Sequence, residues 1–154
     1  MNAQQSVLTA VADLHLGCTF TFDDLLRTVQ ERRNRRVRIV ELAHLDTHDG
    51  ICAVWLVTDT EDIVLHARSD SILHRQQFVL HELAHMLLGH CDSEDCEEYD
   101  ALLPDIPRYT RGRLLKRQDF ATETEVAAEC LADHLAAGIR RRVFAESRYL
   151  EIFG

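Results

Sequence analysis

Several things are scarce in this chain of 154 residues. No stretch approaches the roughly 18 uninterrupted apolar residues that a membrane-spanning helix needs. The opening MNAQQSVLTAVADLHLGCTF has no basic leader, and Asp13 and His15 interrupt its apolar run, so it does not read as a secretory signal. A cytoplasmic protein is the expectation. There is no internal repeat and no low-complexity tail, and two prolines and six glycines leave few places for long loops. Basic residues are outnumbered: the formal net charge is −9, which disfavours a simple nucleic-acid-binding module. The five cysteines, Cys18, Cys52, Cys91, Cys96 and Cys130, are odd in number and scattered, which reads as reduced thiols. Cys91 and Cys96 flank an acidic stretch, but a zinc clip there lacks a second pair.

What remains has the composition of a globular protein, 46% apolar and 28% charged, at a length that suits one domain spanning 1–154 with its core over about 20–140. Thr21 ahead of Asp23 and Asp24 marks a helix start, and Phe22, Leu25, Leu26 and Val29 extend the helical spacing to about residue 33. Strands are expected over 35–42, 51–58 and 62–67, with a turn at Asp49-Gly50; short links favour antiparallel neighbours. From about 71 to 89 the apolar residues fall on every side, the mark of a buried helix, and Gly89 is placed to end it. Residues 92–105, with seven acids in fourteen positions, read as an exposed loop. The runs 31–38 and 108–117 are dense in arginine and read as solvated faces, or as a docking surface for an acidic partner. A last helix is expected from about Thr122 to Arg142. The sum is an α+β fold: a small antiparallel three-stranded sheet packed against a buried helix and further helices.

Within the buried helix stands HELAH, His81 to His85. Residues four apart on a helix lie about 40° apart around the axis and about 6 Å along it, so both imidazoles can reach one ion. Glu82 is turned about 100° from His81, where it suits a general base acting on a water beside that ion. Burying these groups without a metal or hydrogen-bonding partners would be costly; otherwise they must occupy a solvated strip. A catalytic zinc takes three protein ligands. Three sources of the third present themselves: His90, which reads better as a helix-end residue meeting terminal carbonyls; an acid from 92–105; and the last helix, where Glu125 and Glu129 share a face with Ala128 and Ala132.

RQQFVLHELAHMLLGH followed by EVAAECLADHL resembles the ImmA/IrrE family of metallo-endopeptidases, whose catalytic core is similar to that of thermolysin-type zincins. The second signature, E-x-x-A-x-x-F-A, appears as Glu125, Ala128, Leu131 and Ala132, with leucine in place of the usual aromatic. The resemblance implies a zincin-like fold, Zn2+ held by His81, His85 and Glu125, Glu82 as catalytic base, and Glu129 as the acid that orients a ligand histidine. Glu129 as a solvent-facing residue is the plainer alternative. Asp133 extends the same strip, His134 reads as a surface residue, and Tyr99 or Tyr109 are candidates for an oxyanion-stabilising hydroxyl. The implied activity is hydrolysis of a peptide bond in a protein substrate, a partner transcriptional repressor often encoded on phage or mobile DNA, without direct nucleic-acid or membrane binding. The alternative from another class is a regulatory binding protein with a structural or vestigial metal site.

Overall fold

In a computed structural model the residues described are 2–46, 51–90, 97–99, 110–116 and 122–153. The elements run α1 (Ala3–Leu14), α2 (Phe22–Arg33), β1 (Arg36–Asp46), β2 (Ile51–Val57), β3 (Glu61–Arg68), α3 (Ile72–Leu87), β4 (Glu97–Tyr99), β5 (Thr110–Lys116) and α4 (Glu123–Phe153). The fold is α+β.

Local chemistry sets the helix starts. Thr21 Oγ1 accepts from the Asp24 backbone N–H at 3.0 Å while Asp24 Oδ2 accepts from that of Thr21 at 3.2 Å, a reciprocal cap that opens α2. The Thr21 backbone and hydroxyl hold the Asp24 carboxyl below its ordinary range. Asn2 and Gln5 form the same kind of cap on α1, a helix the sequence analysis did not anticipate. Its signal was present in Ala3, Val7, Ala10, Val11 and Leu14, spaced for one helical face.

The sheet corrects the expectation of three antiparallel strands. Among the described residues five strands stand in the order β1-β3-β2-β5-β4, and the sheet is mixed. β3 lies between β1 and β2, parallel to β1 from Arg36↔Glu61 to Leu42↔Ala67 and antiparallel to β2. Burial explains the order. Asp62 to Ala67 are all buried, so β3 has no polar face to present to water and takes an interior place. β1 alternates exposed Arg36 and Arg38 with buried Val37, which suits an edge. The two remaining strands come from the charge runs. β5 lies in the basic run and pairs with β2, and β4 lies in the acidic segment expected to be a loop; their register sets Glu98 opposite Arg111. The Asp49-Gly50 turn falls outside the described residues.

One face of the sheet, with Val37, Trp55 and Val64, packs against Leu80, Leu83 and Ala84 of α3, Ala128, Leu131, Ala132 and Leu135 of α4, and residues of α1 and α2. The other face buries Val54, Leu56, Ile63 and Leu65. Where α2 enters the sheet, the fully buried Asp62 accepts from Arg33 Nε at 2.5 Å and Trp55 Nε1 at 3.3 Å, with Arg35 Nε at 3.6 Å. The Arg33 guanidinium lies 5.1 Å from the Trp55 ring centroid. Arg38 pairs with Glu61 at 3.0 Å and Arg32 donates to the Asp13 carbonyl at 2.7 Å. Most of the 31–38 basic run is thus engaged within the chain.

α4 runs eleven residues past the expected end at Arg142, continued by an Arg142–Glu146 pair at 2.9 Å one turn apart. Among the described residues no helix is long and apolar enough to cross a membrane. Gly138 seats α4 against the loop before α2. A Cβ there would stand 2.3 Å from Phe20 Cε1, and Phe20 is buried. Gly138→Ala gains about 1 kcal/mol of helix propensity but meets an overpacking cost of about 1–3 kcal/mol. We expect a net loss of stability in urea melts, relieved by Phe20→Leu in the same chain.

Candidate metal centre

The second half of α3 is covered on two sides, by the sheet and by α4. Val79 to Met86 are all buried, including His81, Glu82 and His85. The two histidines are one turn apart and share the side facing α4. Their rings meet edge to face, with centroids 4.8 Å apart.

Glu125 arrives from the first turn of α4. Thr122 Oγ1 accepts from the Glu125 backbone N–H at 3.2 Å, fixing that turn, and the helix N-terminus favours an ionised carboxylate there. Buried Ala127, Ala128 and Ala132 keep side-chain bulk out of the contact with α3. Glu125 Oε2 lies 2.8 Å from His81 Nε2 and 3.2 Å from His85 Nε2, and the two imidazole nitrogens are 3.1 Å apart. All three residues are buried, and among the described residues they form the group with the spacing of a metal site.

Do these atoms suit an ion? Three ligands about 2.0–2.1 Å from a tetrahedral ion stand about 3.3–3.4 Å from one another. The observed edges of 2.8, 3.1 and 3.2 Å fall short by a few tenths, within the reach of small side-chain rotations. Two imidazoles and a carboxylate suit zinc, and also manganese, iron or cobalt. The donor set fits a divalent cation.

The surroundings complete the centre. His81 Nδ1 stands 2.8 Å from Glu129 Oε2, so both nitrogens of His81 face carboxylates. Burial pulls the His81 pKa down, but hydrogen bonds to Glu125 and Glu129, with the charge of nearby Glu82, outweigh it and raise it to about 9. The His81 hydrogen bond in turn lowers Glu129, against its partial burial. Gln77, one turn before His81, donates to Glu129 Oε1 at 3.3 Å and to Asp133 Oδ1 at 3.0 Å. Sequence reasoning missed Gln77, although its place four residues before His81 put it on the same stripe.

His81, His85 and Glu125 are thus brought together, Glu82 is buried one residue along α3, and Glu129 meets the far side of His81. His90 corrects an expectation: its Nδ1 lies 2.7 Å from His85 Nδ1, against the imidazole rather than the terminal carbonyls. His134 is exposed. The Cys91–Cys96 segment and Tyr109 lie outside the described residues, as does the side chain of Tyr99.

Without metal, the His81 ion pair ties stability to pH. The raised pKa means that its contribution is full below about 6.5 and is lost as pH rises through about 9. The shift corresponds to roughly 3 kcal/mol at about 1.4 kcal/mol per pH unit. Chelator-treated protein should therefore lose stability between pH 6.5 and 9.5 in urea melts, and His81→Gln should flatten that part of the profile. The lowered Glu129 gives the opposite edge: its contribution holds above pH 4.5 and fades as pH falls below that value.

No protein-family model, curated protein or solved structure matches the chain.

Proposed function

We propose that the chain is a zinc-dependent endopeptidase of the ImmA/IrrE kind, with zincin-like packing of α3 and α4 against the sheet. The observation that carries this reading is the convergence of His81 Nε2, His85 Nε2 and Glu125 Oε2 within 3.2 Å of one another, beside the buried Glu82.

Zinc held by His81, His85 and Glu125 would supply Lewis acidity at the point where their donor atoms meet. The protein's own groups do the rest. His81 and His85 present Nε2 from one face of α3, and Glu125 closes the set from α4. Glu129 accepts from His81 Nδ1, which keeps the proton off the nitrogen that serves as ligand. Glu82 is the general base: its carboxylate takes a proton from the attacking water and returns it to the departing amine. Its burial removes bulk water from that exchange. The resemblance in sequence suggests the substrate, a transcriptional repressor supplied as a separate polypeptide.

Glu82→Gln should leave zinc content unchanged and lower the cleavage rate at least about a hundredfold. Co-expression with repressors encoded beside the gene, read by mass spectrometry of the fragments, checks this; cleavage at the wild-type rate overturns the mechanism. Glu125→Gln should weaken zinc binding beyond the 10–100-fold typical of outer-shell changes, measured by chelator competition.

A further inference from the structure

We infer that His90 is a positioning residue of the metal centre, holding His85 in the orientation and tautomer that an ion at its Nε2 requires. This rests on the metal-binding part of the function proposed above.

His85 Nε2 points into the cluster, 3.1 Å from His81 Nε2 and 3.2 Å from Glu125 Oε2. Its Nδ1 therefore points away, and there it meets His90 Nδ1 at 2.7 Å. Two ring nitrogens at that distance share one proton: two lone pairs would repel, and two N–H groups would collide. A neutral imidazole that offers its Nε2 lone pair to a metal carries its proton on Nδ1. His85 Nδ1–H then donates to His90 Nδ1, and His90 keeps its own proton on Nε2. The two ligand histidines are supported from opposite sides, His81 by the Glu129 carboxylate and His85 by a neutral imidazole.

The backbone explains how a residue past the helix end reaches back to its last turn. Gly89 has φ of 72°, a left-handed conformation that costs other L-residues roughly 1–2 kcal/mol. The chain reverses there, and the His90 ring comes to lie 4.9 Å from that of His85, at 60°. His90 is half-buried and borders an open cavity of about 280 Å3 shared with Ser6, Glu123 and Thr124. Truncating it enlarges that cavity and leaves the core of α3 intact.

The test uses Zn2+ affinity by competition with a chromophoric chelator, together with the visible spectrum of the Co2+-loaded protein. His90→Ala should bind Zn2+ about 10–100-fold more weakly and shift the Co2+ spectrum. His90→Asn places an acceptor oxygen near the position of Nδ1 and should recover most of the affinity. His90→Gln places its polar group near Nε2 and should not. His134→Ala, at an exposed histidine, should match wild type. Wild-type affinity and spectrum in His90→Ala would overturn the inference, as would equal affinities for the Asn and Gln variants, which decide the matter even if the alanine variant fails to fold. A wild-type chain that takes up no Zn2+ would overturn the metal-binding reading itself, and this inference with it.

Discussion

The contact between α3 and α4 is the constraint on which the centre depends. His81 and His85 are fixed to each other by the helix that carries both, but Glu125 is 40 residues beyond His85 and belongs to another helix. It reaches them because α4 presents buried alanines where a larger side chain would hold the helices apart. Cβ-sized contacts allow an approach close enough for a carboxylate oxygen to stand within hydrogen-bonding distance of both imidazoles. Gly138 plays the same part further along α4, where the Phe20 ring occupies the space that a Cβ would need.

The second determinant is electrostatic. Placing Glu82 and Glu125 among apolar side chains is expensive unless positive charge lies close by. In the metal-free protein a protonated His81 supplies some of it, which is the physical meaning of its raised pKa. A divalent cation would supply more, at the point where the three donor atoms meet. Proton and cation compete for His81 Nε2, while Glu129 keeps hold of the Nδ1 proton in either case. The arrangement would tolerate an empty site, because a proton on His81 supplies part of the positive charge that a cation would bring. The Asp62 cluster shows the contrasting solution, in which a buried carboxylate is balanced permanently by Arg33 and Arg35.

Helices were more legible than strand order. α2 followed from Thr21, Asp24 and the apolar spacing, and α3 from apolar residues falling on every side of the helix. The pairing of β3 with β1 was not readable, because short links suggest neighbours and say nothing about a third strand entering between them. β5 was hidden in a run of arginines, and β4 in a run of acids, where charge obscured the alternation that marks a strand. Glu125 was named through a resemblance in pattern; local spacing alone left it level with other acids. His90 was misplaced because the reversal at Gly89 is a backbone event, and sequence shows only that a glycine is present. Gln77 was not legible because a glutamine has no ligand chemistry to single it out, and its partners Glu129 and Asp133 stand on another helix.

The separation of Glu125 from the histidines also orders events in time. During synthesis α3 emerges with both imidazoles long before the first turn of α4 exists, and the sheet against which α3 packs lacks β5 until residue 116 has been made. The nascent chain therefore carries both imidazoles without Glu125 for the 40 residues that separate Glu125 from His85. Because a domain completes its tertiary contacts as a unit, the three donor atoms come together late, when α4 docks. A ribosome-bound fragment ending before α4 would carry the HELAH sequence and lack the centre.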